Sequence, residues 1–137
     1  MGLTIDLTTF DKRVAAGGGT LGSNYETVGF TDTSPQVLAG DDMLFGPQDG
    51  ADLDARLLGG NDTATLYSGF HFVNTNAGND KVFVLGGSGF LLGGSENDWI
   101  QITGGSFSRI NGNRGNDTIT NFNGFFSEIR VGLKMIF

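Results

Sequence analysis

Gly60-Asn61-Asp62, Gly78-Asn79-Asp80, Glu96-Asn97-Asp98 and Gly115-Asn116-Asp117 repeat one short phrase, with successive aspartates 18, 18 and 19 residues apart. A weaker member, Gly40-Asp41-Asp42, stands 20 residues ahead of the first. A fixed period of this length means one supersecondary unit stacked on copies of itself. Stacked in register, the units place their aspartates on one edge, about 4.8 Å apart, which is one strand spacing. Carboxylates that close cannot all stay ionised without a cation between them. The phrase therefore raises a fold and a ligand together.

The residues between the phrases support the fold. Two positions after each aspartate, past one intervening residue, comes an apolar one: Leu44, Ala64, Val82, Ile100 and Ile119. Two positions further on stand Leu66, Val84 and Ile102, with Asn121 in the fourth repeat. That alternation marks a short strand with one face inward. Half a period later a second strand runs through Val73, Leu91, Ile110 and Ile129, spaced 18, 19 and 19. Glycine pairs at Gly86-Gly87, Gly93-Gly94 and Gly104-Gly105 separate the two strands, supplying the positive φ angles of tight corners. No window sustains helical spacing, because glycines interrupt every one. A single turn cannot bury its apolar face, but a stack of turns can.

The spacing thus predicts an all-β, right-handed parallel β-roll or β-solenoid of about 18 residues per turn. Residues 1–36 are read as a β-rich cap, 37–128 as the roll and 129–137 as a capping strand. The caps are expected from two period-2 alternations, Leu3, Ile5, Leu7 and Ile129, Val131, Leu133, Met135. They would block open strand edges, or else let copies associate through them.

Length and composition narrow the function. At 137 residues the chain reads as one domain; 38% hydrophobic residues and 12 phenylalanines suffice for a core. Cysteine is absent, which excludes disulfides and thiolate metal sites. A net charge of −7 argues against nucleic acid, whose phosphates demand a basic surface, and suits a cation-binding protein. Six acids, Asp41, Asp42, Asp49, Asp52, Asp54 and Asp62, crowd into 22 residues with only Arg56 among them, either as a solvated loop or as part of a metal site. No stretch approaches a membrane span, and Met1 to Val14, interrupted by Asp6 and Asp11, is not read as a signal peptide.

The six residues ending in each aspartate are Leu57-Leu58-Gly59-Gly60-Asn61-Asp62, Thr75-Asn76-Ala77-Gly78-Asn79-Asp80, Gly93-Gly94-Ser95-Glu96-Asn97-Asp98 and Gly112-Asn113-Arg114-Gly115-Asn116-Asp117. They resemble the Gly-Gly-x-Gly-x-Asp-x-apolar-x nonapeptide of the RTX, or hemolysin-type calcium-binding, family. The resemblance covers about residues 37 to 122. It implies a parallel β-roll with Ca²⁺ between glycine-rich loops, held by carboxylates and backbone carbonyls of adjacent turns. Carried over by position, the implied ligands are Asp42, Asp62, Asp80, Asp98 and Asp117, with carbonyls at Gly60, Gly78, Gly93 and Gly112. The family's second aspartate per turn is missing: the matching positions are read as His71, Gly89, Ser108 and Ser127, so one side of the roll is expected to bind no calcium. Glu96 also replaces a loop glycine. A metal-free reading stands beside this one, with Asn-Asp steps satisfying turn amides through side-chain hydrogen bonds.

The expected function is a non-enzymatic, calcium-binding β-roll with a structural, adhesive or surface-associated role, extracellular or at the cell surface. Three alternatives stay open. A polysaccharide-processing enzyme would use acids such as Asp49, Asp52 and Asp54; a polysaccharide-binding module would show an exposed aromatic strip; a virion or other assembly component would join copies through its terminal strands. Phe70, Phe72, Phe90, Phe107, Phe125 and Phe126 are read as a ladder inside the roll, and Trp99 as outward-facing and available to a glycan or protein partner. His71, the only histidine, is read as structural.

Overall fold

The computed structural model describes residues 4–6, 25–28, 40–46, 48, 52–57, 59–130 and 134–136. Two parallel sheets share the chain turn by turn. One holds, in spatial order, β1 (Thr4–Asp6), β3 (Met43–Phe45), β5 (Thr63–Leu66), β7 (Lys81–Val84), β9 (Trp99–Ile102), β11 (Thr118–Asn121) and β14 (Lys134–Ile136). The other runs from β2 (Tyr25–Val28) through β4 (Asp52–Arg56), β6 (Phe70–Asn74), β8 (Ser88–Gly94) and β10 (Ser106–Asn113) to β12 (Phe125–Phe126), with β13 (Ile129–Arg130) also on β10. From β1 to β12 the strands alternate between the sheets along the chain, so each period contributes one strand to each. The result is a β-solenoid of about five turns, with no helix among the described residues.

Like residues stack in columns because strands one period apart pair in register. Leu44, Ala64, Val82, Ile100 and Ile119 are successive partners in the first sheet. Ala55, Val73, Leu91, Ile110 and Ile129 are successive partners in the second. All but Ile129 are buried, and Ile129 packs against the same core. Leu66, Val84 and Ile102 form a further buried column. Where the column continues with Asn121, the side chain instead closes the following turn. Its Oδ1 accepts from the Gly124 amide at 2.8 Å and its Nδ2 donates to the Gly124 carbonyl at 3.2 Å.

Two departures from strict periodicity have local causes. Leu53 follows Leu44 by nine residues while their partners His71 and Ala64 are seven apart, so the two extra residues of the 20-residue repeat fall between β3 and β4. The strand registers on either side are undisturbed. The second departure is a bulge between Phe107 and Arg109. Phe107 and Ile110 both point into the core, which a period of two cannot arrange, and the extra residue restores Ile110 to the Leu91 column. This corrects the expected second column: Gly89 is matched by Phe107 and then Phe126, and Ser108 sits in the bulge.

The aromatic ladder expected inside the roll also needs correction. Phe107 is buried and Phe126 packs against the core, whereas Phe70 and Phe125 are exposed. Phe90 meets Phe70 and Phe72 with ring centroids 6.0 Å apart in each pair, on the outer face of the second sheet. Trp99 faces outward as expected, 6.3 Å from Phe83 and with Lys81 over its ring. His71 is fully buried. β1 and β14 occupy opposite edges of the first sheet; Leu3, Leu7, Val131, Leu133 and Asp49 lie outside the described residues.

Candidate functional site

The Gly-Asn-Asp phrase forms the corner where the chain leaves the second sheet and enters the first. Its first residue is left-handed in every complete repeat: φ is +102° at Gly60, +126° at Gly78, +77° at Glu96 and +125° at Gly115. The corners stack so closely that a methyl group on Gly78 would collide with the Gly60 carbonyl, and one on Gly115 with the Glu96 carbonyl. Glu96 therefore holds a glycine conformation at the usual cost to a residue with a Cβ, about 1–2 kcal/mol. Glu96→Gly is expected to raise stability by about 1 kcal/mol, read as a higher urea midpoint at unchanged m-value.

Asn and Asp of each corner reach in opposite directions. The backbone N–H groups of Asn79, Asn97 and Asn116 donate to the side-chain Oδ1 of the asparagine one turn earlier, at 2.9, 2.9 and 2.8 Å. Asn61 donates likewise to Asp41 at 2.7 Å. The aspartates run the other way: the N–H groups of Asp42, Asp62, Asp80 and Asp98 donate to the Oδ1 of the aspartate one turn later, at 2.8, 2.8, 3.0 and 3.0 Å. Each pair of neighbouring turns is thus clasped twice. Alternation explains the difference in setting, since the asparagines are exposed and the aspartates, one residue on, are at most 3% exposed.

Burial leaves the aspartates with one oxygen too many. The inner Oδ2 atoms of Asp62, Asp80, Asp98 and Asp117 are buried without a hydrogen-bond partner. Those of Asp98 and Asp117 press on Gly93 and Gly112, where no side chain would fit. Loss of hydration pushes Asp62 and Asp98 up to about 7, and Asp80 up to about 6. The backbone N–H that each accepts pulls the other way, and neighbouring acids add a smaller upward push.

Calcium requires six to eight oxygens. The carboxyl part of such a set is present as the column of orphaned oxygens. The carbonyl part is differently disposed. The Gly60 oxygen faces the Cα of Gly78, the Gly93 oxygen accepts the Thr75 hydroxyl at 2.6 Å, and the Gly112 oxygen lies against Gly93. Among the described residues no three acidic or histidine side chains converge on one point. The column thus supplies buried oxygens that lack donors, while the Gly60, Gly93 and Gly112 carbonyls are turned to other partners.

Of the acids considered for catalysis, Asp52 accepts the Phe70 amide at 3.0 Å across neighbouring strands. His71 has two ring nitrogens without partners, and burial lowers it to about 4. Sequence reasoning foresaw the aspartate column but not its burial, nor Thr75 as the hydroxyl beneath it. Among the described residues no helix is long and apolar enough to cross a membrane. The fold defines a parallel β-solenoid. No protein-family profile, curated protein or solved structure matches the chain.

Proposed function

We propose that the chain is a non-enzymatic, calcium-stabilised β-solenoid with a structural or adhesive role at or outside the cell surface. One observation supports this above others: a buried aspartate in every repeat, whose inner oxygen has no protein partner at four successive turns. Asp62, Asp80, Asp98 and Asp117 would hold the cation, with Asp42 extending the column. Bound calcium supplies charge neutralisation, which lets stacked carboxylates remain ionised away from water. The protein's own contribution is spacing, burial and the amide clasp that fixes each carboxyl.

A second reading has its own observation. The reciprocal hydrogen bonds already satisfy the corner amides, and carboxyls lifted toward neutrality need only a proton each to lose their charge. In that case the column is a metal-free ladder inside a passive scaffold.

Thermal unfolding with and without chelator separates the two. At pH 8, saturating Ca²⁺ is expected to raise the melting temperature well above its value in EDTA, since ligand at a hundred times Kd adds about 2.7 kcal/mol per site. A melting temperature indifferent to calcium sinks the first reading and leaves the second.

A further inference from the structure

On the outer face of the second sheet, where β8 and β10 end, an open cavity of about 570 Å³ is lined by Gly94, Asn111, Asn113, Arg114 and Arg130. The stacking of turns assembles it. Arg130 stands beside Asn111 across the β10–β13 pairing, and the Arg114 amide donates to the Gly94 carbonyl at 2.9 Å. Asn113 takes a left-handed φ of +73°, and its amide donates to Asn111 Oδ1 at 2.9 Å. That bond occupies the acceptor of Asn111 and leaves its NH₂ to donate. Two arginines and an asparagine amide donor therefore line one hollow.

Charge is distributed to match. Residues 1–62 hold ten of the 15 acids against Lys12, Arg13 and Arg56, a net of −7. Residues 63–137 balance Asp80, Glu96, Asp98, Asp117 and Glu128 against Lys81, Arg109, Arg114, Arg130 and Lys134. Three of those five acids are in the buried column, so the surface of this end is basic in an acidic protein. Glu128 partly offsets it by pairing with Arg130 and, at 3.0 Å, with Arg109. Arg114 is exposed and has no ion pair among the described residues.

The same face carries an aromatic ledge. Phe90, Leu92 and Gly94 alternate outward along β8, which puts Phe90 about 13 Å along the strand from Gly94 at ~3.3 Å per residue. Phe70 and Phe72 extend the ledge, and Arg109 is the cross-strand partner of Phe90. Planar guanidinium groups favour carboxylate or sulfate oxygens bidentately, and aromatic rings offer apolar faces to the C–H faces of sugars. A nucleic-acid backbone fits less well, because its closely spaced phosphates would meet only two arginines in the hollow and an acidic surface beyond it.

We propose that this face binds an anionic glycan. Arg114 and Arg130 take a carboxylate or sulfate group, and Phe90 with Phe70 supports a neighbouring sugar ring. The site does not depend on the aspartate column, and its test leaves that column intact. Retention of the full chain is measured in native gels containing polygalacturonate, dextran sulfate, neutral dextran or single-stranded DNA, each with EDTA and with Ca²⁺. Retention is expected from polygalacturonate, dextran sulfate or both, and the one retained identifies the acidic group. Arg114→Ala with Arg130→Ala should weaken it at least tenfold without moving the melting temperature. Arg114→Ala alone should weaken it measurably, which keeps the test valid if the double variant is unstable. Unchanged retention of the folded variants overturns the proposal. So does equal retention by neutral dextran or by DNA, or no retention by either anionic polymer.

Discussion

In chelator, the protein is expected to become less stable as pH rises from about 4 to about 7. Asp62 and Asp98 sit near 7 in the fold and Asp80 near 6, against 3.8 for an ordinary aspartate. A raised carboxyl binds its proton more tightly folded than unfolded, so its contribution is complete below pH 3.8 and is lost as pH climbs through the folded value. One pKa unit is worth about 1.4 kcal/mol per group, and three such acids make the expected loss several kcal/mol. His71 acts in the opposite sense. Lowered to about 4 from 6.5, it stabilises above pH 6.5 and loses that contribution as pH falls toward 4. One imidazole against three carboxyls reduces the slope without reversing it, and His71→Phe should steepen it. On the proposed calcium reading the sign is expected to invert with the metal present, because cation binding requires ionised ligands and strengthens with pH. Melting curves from pH 4 to 8, with EDTA and with Ca²⁺, should converge at the acid end and separate above pH 7. Two falling, superimposed curves would leave protons as the only counter-charge. A metal-free curve that rises with pH would contradict the burial of the column itself.

The periodic part of the molecule was legible because spacing alone determines it. Leu44, Ala64, Val82, Ile100 and Ile119 share a column in the structure because strands one period apart pair in parallel. Once Val73 points inward, alternation sends Phe72 outward; expecting the phenylalanines inside weighed ring size above register. The bulge at Ser108 depends on Phe107 filling the core, a packing choice that a spacing of 19 does not reveal. In the candidate site, the Asn-Asp step marked the corner. The opposite directions of the two side chains follow from their alternation once the corner is folded. The basic hollow was least readable, since it joins Gly94 to Arg130 across two turns and no local pattern marks either.

Substitutions at Asp80 should separate the role of its shape from that of its charge. Asp80→Ala removes the acceptor of the buried Asp62 amide, an orphaned donor worth about 1–3 kcal/mol, and leaves a void beside Thr75. The expected loss is about 3 kcal/mol in urea unfolding at pH 5 in chelator. Asp80→Asn keeps the accepting oxygen and mimics the neutral acid. In EDTA at pH 8 it should therefore match or exceed the wild type, because no proton has to be retained, and its stability should depend less on pH. In Ca²⁺ the same variant should lose much of the metal's stabilisation. Asp117 accepts the Asp98 amide in the same way, so alanine at either position should cost similar amounts in chelator. On the proposed calcium reading the metal is expected to break that equivalence. Asp80 has an aspartate one turn before and one turn after, so its loss would weaken two shared sites, and Asp80→Ala should cost more than Asp117→Ala only when metal is present. Equal costs in both buffers, together with an Asp80→Asn variant that gains in calcium as much as the wild type, would reduce the column to a hydrogen-bonded ladder.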